Sequence, residues 1–210
     1  MKKSNEKYYS QHGEEKIINK YLDKNPTIEK GIYIDIGASF PIKINNTYYY
    51  YKKGWNGLLI EPHPSYMGVI KRTRPRDLFL PIAITDYDGE IEMGYYIPGY
   101  YGSFTVGSPL GNEHKRLRKY KKLYFVKCMT INTLIKKYPQ FAEPDFLSMD
   151  IETNEEKALS KCDFNIFKPK IICIELPHSS HNNWEHYLTP FYELKEILAN
   201  NAFYVRKGKK

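Results

Sequence analysis

The chain has 210 residues, of which 41% are hydrophobic and 27% charged, the make-up of one soluble globular domain with a core of its own. No window approaches the ~18 uninterrupted apolar residues of a membrane span, and Cys128, Cys162 and Cys173 are too few and too widely spaced for a disulfide framework, which suits a reducing cytoplasm. The net charge of +8 favours anionic partners.

The N-terminal "MKKSNEKYYSQHGEE" lacks the apolar stretch of a signal peptide. In residues 14–23, "EEKIINKYLD", the spacing puts Ile17, Ile18, Tyr21 and Leu22 on one helical face, and "NPTIEKG" breaks that helix. "IYIDI" reads as a strand entering the turn Gly37-Ala38-Ser39, "NNTYYYYKKG" as a short helix closed by Gly54, and "GLLIEP" as a strand ending at Glu61. "PSYMGVIKRTRP" is a predicted helix, "LFLPIAIT" a third strand with an internal proline, and "GEIEMGYYI" a strand of a hairpin.

Residues 98–122 break the pattern, being rich in Gly and Tyr and ending in the basic run "HKRLRKYKK". A solvated helical face is the ordinary reading of such a run, and a mobile lid that collects an anionic acceptor is the sharper one. Lys, Tyr, Asn and Ile are also the residues of AT-rich codons, so basicity alone is not a binding footprint. Further on, "LYFVKCM" is strand-like, "INTLIKKY" helical, "DFLSMD" a strand ending at Asp150, "EEKALSKC" a helix and "KIICIE" a strand ending at Glu175. "WEHYLTPFYELKEILANN" reads as largely helical despite Pro190, and "AFYV" as a closing strand.

Strands alternating with helices predict one α/β domain over residues 1–210, built on a mostly parallel, doubly wound, Rossmann-like sheet. Ligands of such sheets sit beyond the carboxyl ends of the strands. Asp35, Glu61, Asp150 and Glu175 all fall at or beside such ends, so the site is expected there. The turn after the first strand has one glycine where a dinucleotide turn has three, and no Walker-type sequence occurs. A ligand without phosphates suits that turn better. S-adenosylmethionine, with a ribose diol and a cationic sulfur, is such a ligand, and Glu61 stands in the right topological place for the diol.

Five blocks, in order, resemble the FkbM-type methyltransferases: "YSQHGEEKII", "YIDIGASFPIKINNTYYYYKKGWNGLLIEPHP", "RPRDLFLPIAITDYDGEIEM", "DFLSMDIETNEEKAL" and "KPKIICIELPH". The resemblance implies a class I methyltransferase fold and S-adenosylmethionine-dependent O-methylation of a hydroxyl on a sugar, a surface glycan or its precursor. It places Asp35 and Gly37 along the methionine part of the cofactor, Glu61 on the ribose and Ala83 near the adenine, with Ala38 also against the cofactor. Gln11, Asn46 and Thr47 would be polar walls or loop anchors. Asn46 and Thr47 read equally well as the N-cap of the helix that follows. The chain departs from the family in Asn45, where a serine is usual, and in Thr153, where a glycine is usual.

Asp150 and His178 are the expected catalytic pair, since both follow adjacent predicted strands. Alternatively, Glu152, Glu175 and His178 would hold a divalent cation, and spacing does not decide between the two. RNA methylation and a non-catalytic binding module are the competing functions, the first favoured by charge and aromatics.

Overall fold

The computed structural model of the chain describes residues 7–23, 25–26, 29–96, 104–105, 121–152, 154–176 and 184–208. Strand β1 (Ile32–Ile36) shows how one sheet serves two layers. Its residues alternate, so Ile34 and Ile36 enter one apolar cluster while Tyr33 enters the other. Strands β2 (Asn56–Ile60), β3 (Leu78–Leu80), β8 (Phe146–Met149) and β9 (Ile171–Glu175) extend the sheet in parallel. Strand β11 (Asn201–Arg206) runs antiparallel to β9, and β10 (Tyr192–Leu198) pairs with β11 at the edge. The order is β10-β11-β9-β8-β1-β2-β3, so the winding reverses between β1 and β8. Among the described residues, this is the mostly parallel, Rossmann-like sheet that the sequence predicts.

Helices α1 (Glu14–Tyr21), α2 (Tyr48–Lys52) and α3 (Pro64–Thr73) cover the Tyr33 face, through Ile18, Tyr49, Tyr50, Tyr66 and Ile70. Helices α4 (Ile131–Lys137) and α5 (Glu155–Ser160) cover the other, through Ile131, Leu134, Ala158 and Leu159. α3 opens with Pro64 in its first turn and is capped by His63, whose ring accepts the Ser65 N–H.

The structure differs from the sequence reading in three places. "LFLPIAIT" is two strands and not one. Pro81, which has no N–H to continue a ladder, separates β3 from β4 (Ala83–Ile84). β4 then joins a second, smaller sheet with β5 (Gly89–Tyr96), β6 (Phe104–Thr105) and β7 (Lys121–Met129), in the order β4-β7-β5-β6.

Residues 184–200 contain only a short helix, α6 (Glu185–Leu188), followed by strand β10. A bulge between Leu194 and Glu196 shifts the phase of β10. Its apolar residues therefore fall at 194, 197 and 198, a spacing that imitates a helix. The expected 98–122 loop is the third difference. Its Phe104–Thr105 and Lys121–Lys122 belong to strands β6 and β7, and the rest lies outside the described residues.

Candidate active site

The reversal between β1 and β8 leaves a crevice beyond their carboxyl ends, where a ligand of such a sheet belongs. A pocket opens there with about 690 Å³ of space, its mouth included. The ends of β1, β2 and β8 supply Gly37, Glu61 and Asp150, and the small sheet supplies Ala83, Ile91 and Met93 as an apolar wall. That wall follows from strand alternation. Ile91 and Met93 turn inward with their partners Val126 and Tyr124, while Leu123 and Phe125 turn out to solvent.

Gly37 has φ +87°, and a Cβ there would lie 1.7 Å from the Asp150 carbonyl oxygen. Only glycine lets the turn pass so close to the end of β8. The Gly37 and Ala38 N–H groups both donate to the Ile60 carbonyl, at 2.9 and 3.1 Å. The turn then carries Ser39 in the left-handed region, φ 41°, and its N–H donates to Glu61 Oε2 at 2.9 Å. Glu61 Oε1 accepts the His63 N–H at 2.7 Å. Each carboxylate oxygen keeps a second lone-pair direction for a ligand hydroxyl. Burial pushes the Glu61 pKa up to about 7, against the pull of those two N–H groups, and the Asp35 and Asp150 charges add to the rise.

Asp35 lies elsewhere. It is buried beneath the turn, not on the pocket wall, and its Oδ2 accepts from Thr47 Oγ1 at 2.7 Å and Asn45 Nδ2 at 3.0 Å. Burial raises its pKa, with those hydrogen bonds opposing. Asn45 also caps α2, its Oδ1 accepting the Thr47 and Tyr48 N–H groups at 3.1 and 2.8 Å. Neither Asn46 nor Thr47 supplies that side-chain cap. Asn46 Nδ2 reaches Ser148 Oγ at 3.0 Å on β8, and Thr47 Oγ1 accepts from Arg74 at 3.0 Å.

Arg74, 1% exposed, is the hub of this layer. Its guanidinium donates to Asp77, the Pro41 carbonyl and the Tyr33 hydroxyl, at 2.7, 3.0 and 2.9 Å. The sequence gives no hint of this, because Arg74 sits in "KRTRPRD", which reads as a solvated basic stretch. Gln11 is exposed, and Ala38 is buried; neither lines the pocket. His178 lies outside the described residues.

The acids beyond β8 and β9 form a second group. Glu152 lines the pocket in a left-handed backbone conformation, φ 56°, and burial, then Asp150, Glu155 and Glu61, raise its pKa to about 7. Asp150, Glu155 and Glu175 bring one oxygen each within 4.8 Å of one another. Among the described residues these three are the acids that could jointly hold a cation. Of the expected set, Glu175 is among them, Glu152 lies on the pocket wall near them, and His178 lies outside the described residues. Glu155 also accepts the Ile151 N–H at 2.9 Å, and burial raises the Glu175 pKa.

A buried acid at the end of β2, an apolar wall and further acids around one glycine turn fit a nucleoside carrying a cationic group. That is the architecture of a Rossmann-like, nucleoside-dependent transferase. Residues 35–203 match the methyltransferase FkbM domain, so the chain belongs to the FkbM methyltransferase family and its cofactor is S-adenosylmethionine. No curated protein matches the chain. A solved structure with 9% identity and a TM-score of 0.44 is the Burkholderia thailandensis 1,6-didemethyltoxoflavin-N1-methyltransferase, bound to 1,6-didemethyltoxoflavin and S-adenosylhomocysteine. The likeness covers 96% of this chain and 93% of that one.

Proposed function

We propose that this methyltransferase acts on a hydroxyl of a sugar, within a surface glycan or its precursor. The observation that carries the reading is the charge of the pocket. Asp150 and Glu152 line it, with Glu175 beside Asp150. Carboxylates accept hydrogen bonds from a polyol, whereas they repel the phosphodiesters of an RNA acceptor.

The cofactor supplies an activated methyl group on a cationic sulfur, so the protein's own task is to hold the acceptor and manage one proton. Glu61 would hold the ribose diol. Ala83, Ile91 and Met93 would exclude water around the base, and Gly37 would let the chain pass beneath the methionine part. Asp35, Asn45, Thr47 and Arg74 would position the turn from behind. Asp150 is the proposed catalytic acid-base group, with His178 as its partner. Three free cysteines support a reducing, cytoplasmic setting.

Formation of S-adenosylhomocysteine with neutral oligosaccharides and with RNA as acceptors tests the proposal. Turnover with a sugar, lowered in Asp150→Asn far more than cofactor affinity is, would support it. Methylated RNA together with inert sugars would overturn it.

A further inference from the structure

The net charge is not spread evenly. Residues 38–76, which carry α2 and α3, contain seven Lys or Arg and a single acid, the buried Glu61. Residues 131–168, on the opposite layer, contain five Lys or Arg and seven acids. Residues 7–23, which carry α1, contain three Lys and three acids, so the excess lies in α2, α3 and their loops. Among the described residues Lys7, Lys16, Lys43, Lys52, Lys71, Arg72 and Arg76 are exposed on this side and form no ion pair, as is also true of Lys136, Lys137, Lys157 and Lys161 on the other layer.

Three of these cations lie over tyrosine rings that pack the N-terminal segment and Arg76 against α2. Lys16 lies over Tyr8, which packs on Tyr49 at 5.6 Å. Lys7 lies over Tyr9, which packs edge-on against Tyr48 at 4.8 Å. Tyr48 stacks on Tyr51, whose ring carries Arg76 at 3.9 Å. The Asn45 N–H donates to the Tyr9 carbonyl, so the loop after β1 joins the same face.

That loop presents Ile44, 63% exposed and with φ +53°. A β-branched side chain rarely adopts that backbone conformation, and here it aims an apolar group outward beside Lys43. An excess of exposed bases beside one protruding apolar side chain is what a protein lying on an anionic bilayer presents.

We propose that the α1–α3 face docks on an anionic phospholipid surface, with the cations on the headgroups and Ile44 inserted at the interface. The inference goes beyond the acceptor reading and does not depend on it. A nucleic acid would also meet the cations, but it gives Ile44 no role.

The test is flotation of the full chain with vesicles of phosphatidylcholine alone, or with about a quarter phosphatidylglycerol. The wild-type chain should bind the anionic vesicles at least tenfold more tightly than the neutral ones, and lose that preference in high salt. Ile44→Asn, which tolerates the left-handed conformation, should weaken binding severalfold, and Lys7→Glu, Lys16→Glu and Lys52→Glu together should abolish it. S-adenosylhomocysteine affinity should stay the same in both variants, which shows that they are folded. Equal binding to both vesicle types, or an unaffected triple variant, would overturn the proposal. So would binding of polyuridylate that Ile44→Asn leaves intact, with no binding to anionic vesicles.

Discussion

Burial and two backbone N–H groups pull the Glu61 carboxyl in opposite directions, and burial wins, leaving its pKa near 7. The folded state holds this proton more tightly than the unfolded chain, so the stabilisation is full below the ordinary glutamate range and is lost as pH rises through 7. A shift from 4.5 to about 7 is on the order of 3 kcal/mol. We therefore expect the cofactor-free protein to lose stability to denaturant between pH 5 and 8, and Glu61→Gln to flatten part of that slope, the raised Glu152 carboxyl contributing to the rest. Cofactor affinity should run the other way, because the ribose diol donates to the carboxylate. Calorimetry with S-adenosylhomocysteine should show affinity rising from pH 6 to 8 in the wild type and not in Glu61→Gln. A pH-independent wild-type affinity would take Glu61 off the ribose. The sequence showed Glu61 by its place after an apolar strand. It could not show Ser39 or Asn45, because their work is done by one N–H and by one amide that happen to lie beside buried carboxylates. Asn45 donates to Asp35 and caps α2 at once, so Asn45→Ala should cost about 1–2 kcal/mol in denaturant unfolding, from the lost cap and hydrogen bond.

At the scale of elements, β1, β2, β8 and β9 were legible because a strand buried on both faces is a plain apolar run bounded by turn residues. β10 was not, since its bulge re-spaces Leu194, Ile197 and Leu198 into a helical pattern. The small sheet was hidden for another reason. Its pairs are set by long-range register, such as Met93 with Tyr124, and local periodicity does not encode which strand lies beside which. Yet this sheet closes the pocket, and its two faces are chemically distinct. Ile91 is 8% exposed and faces the cofactor space, whereas Phe125 is 71% exposed on the outside. Ile91→Asp should therefore lower S-adenosylhomocysteine affinity at least ~10-fold, because a buried, unpaired charge in an apolar wall is costly. Phe125→Asp, on the partner strand, should leave it unchanged. Equal effects of the two in a binding titration would mean that the wall is not where the cofactor lies.

The whole molecule is polarised. Acids converge on the crevice between β1 and β8, which suits a cationic sulfur and a neutral polyol. The excess of bases over acids falls in residues 38–76, which carry α2 and α3. Neither half of this division could be read from the net charge of +8, which is the sum over both. It needed the sheet, because the sheet assigns residues 38–76 to one layer and 131–168 to the other. The division has a stability consequence. Ion pairs such as Lys168–Glu143 and Lys170–Asp23 are exposed, and salt screens them with little effect. Lys7, Lys16, Lys43, Lys52 and Arg76 form no ion pair, and repulsion within the base excess of residues 38–76 is screened by the same salt, to the benefit of the folded state. Melting temperature should therefore rise with sodium chloride and not fall. A gain of about 1 kcal/mol would be roughly 2–4 °C for a chain of this length. The triple variant Lys7→Glu, Lys16→Glu and Lys52→Glu should start from a higher melting temperature at low salt and respond less. A wild type that melts lower as salt is added would mean that its surface ion pairs outweigh the repulsion, and that the α1–α3 bases have counter-charges close by.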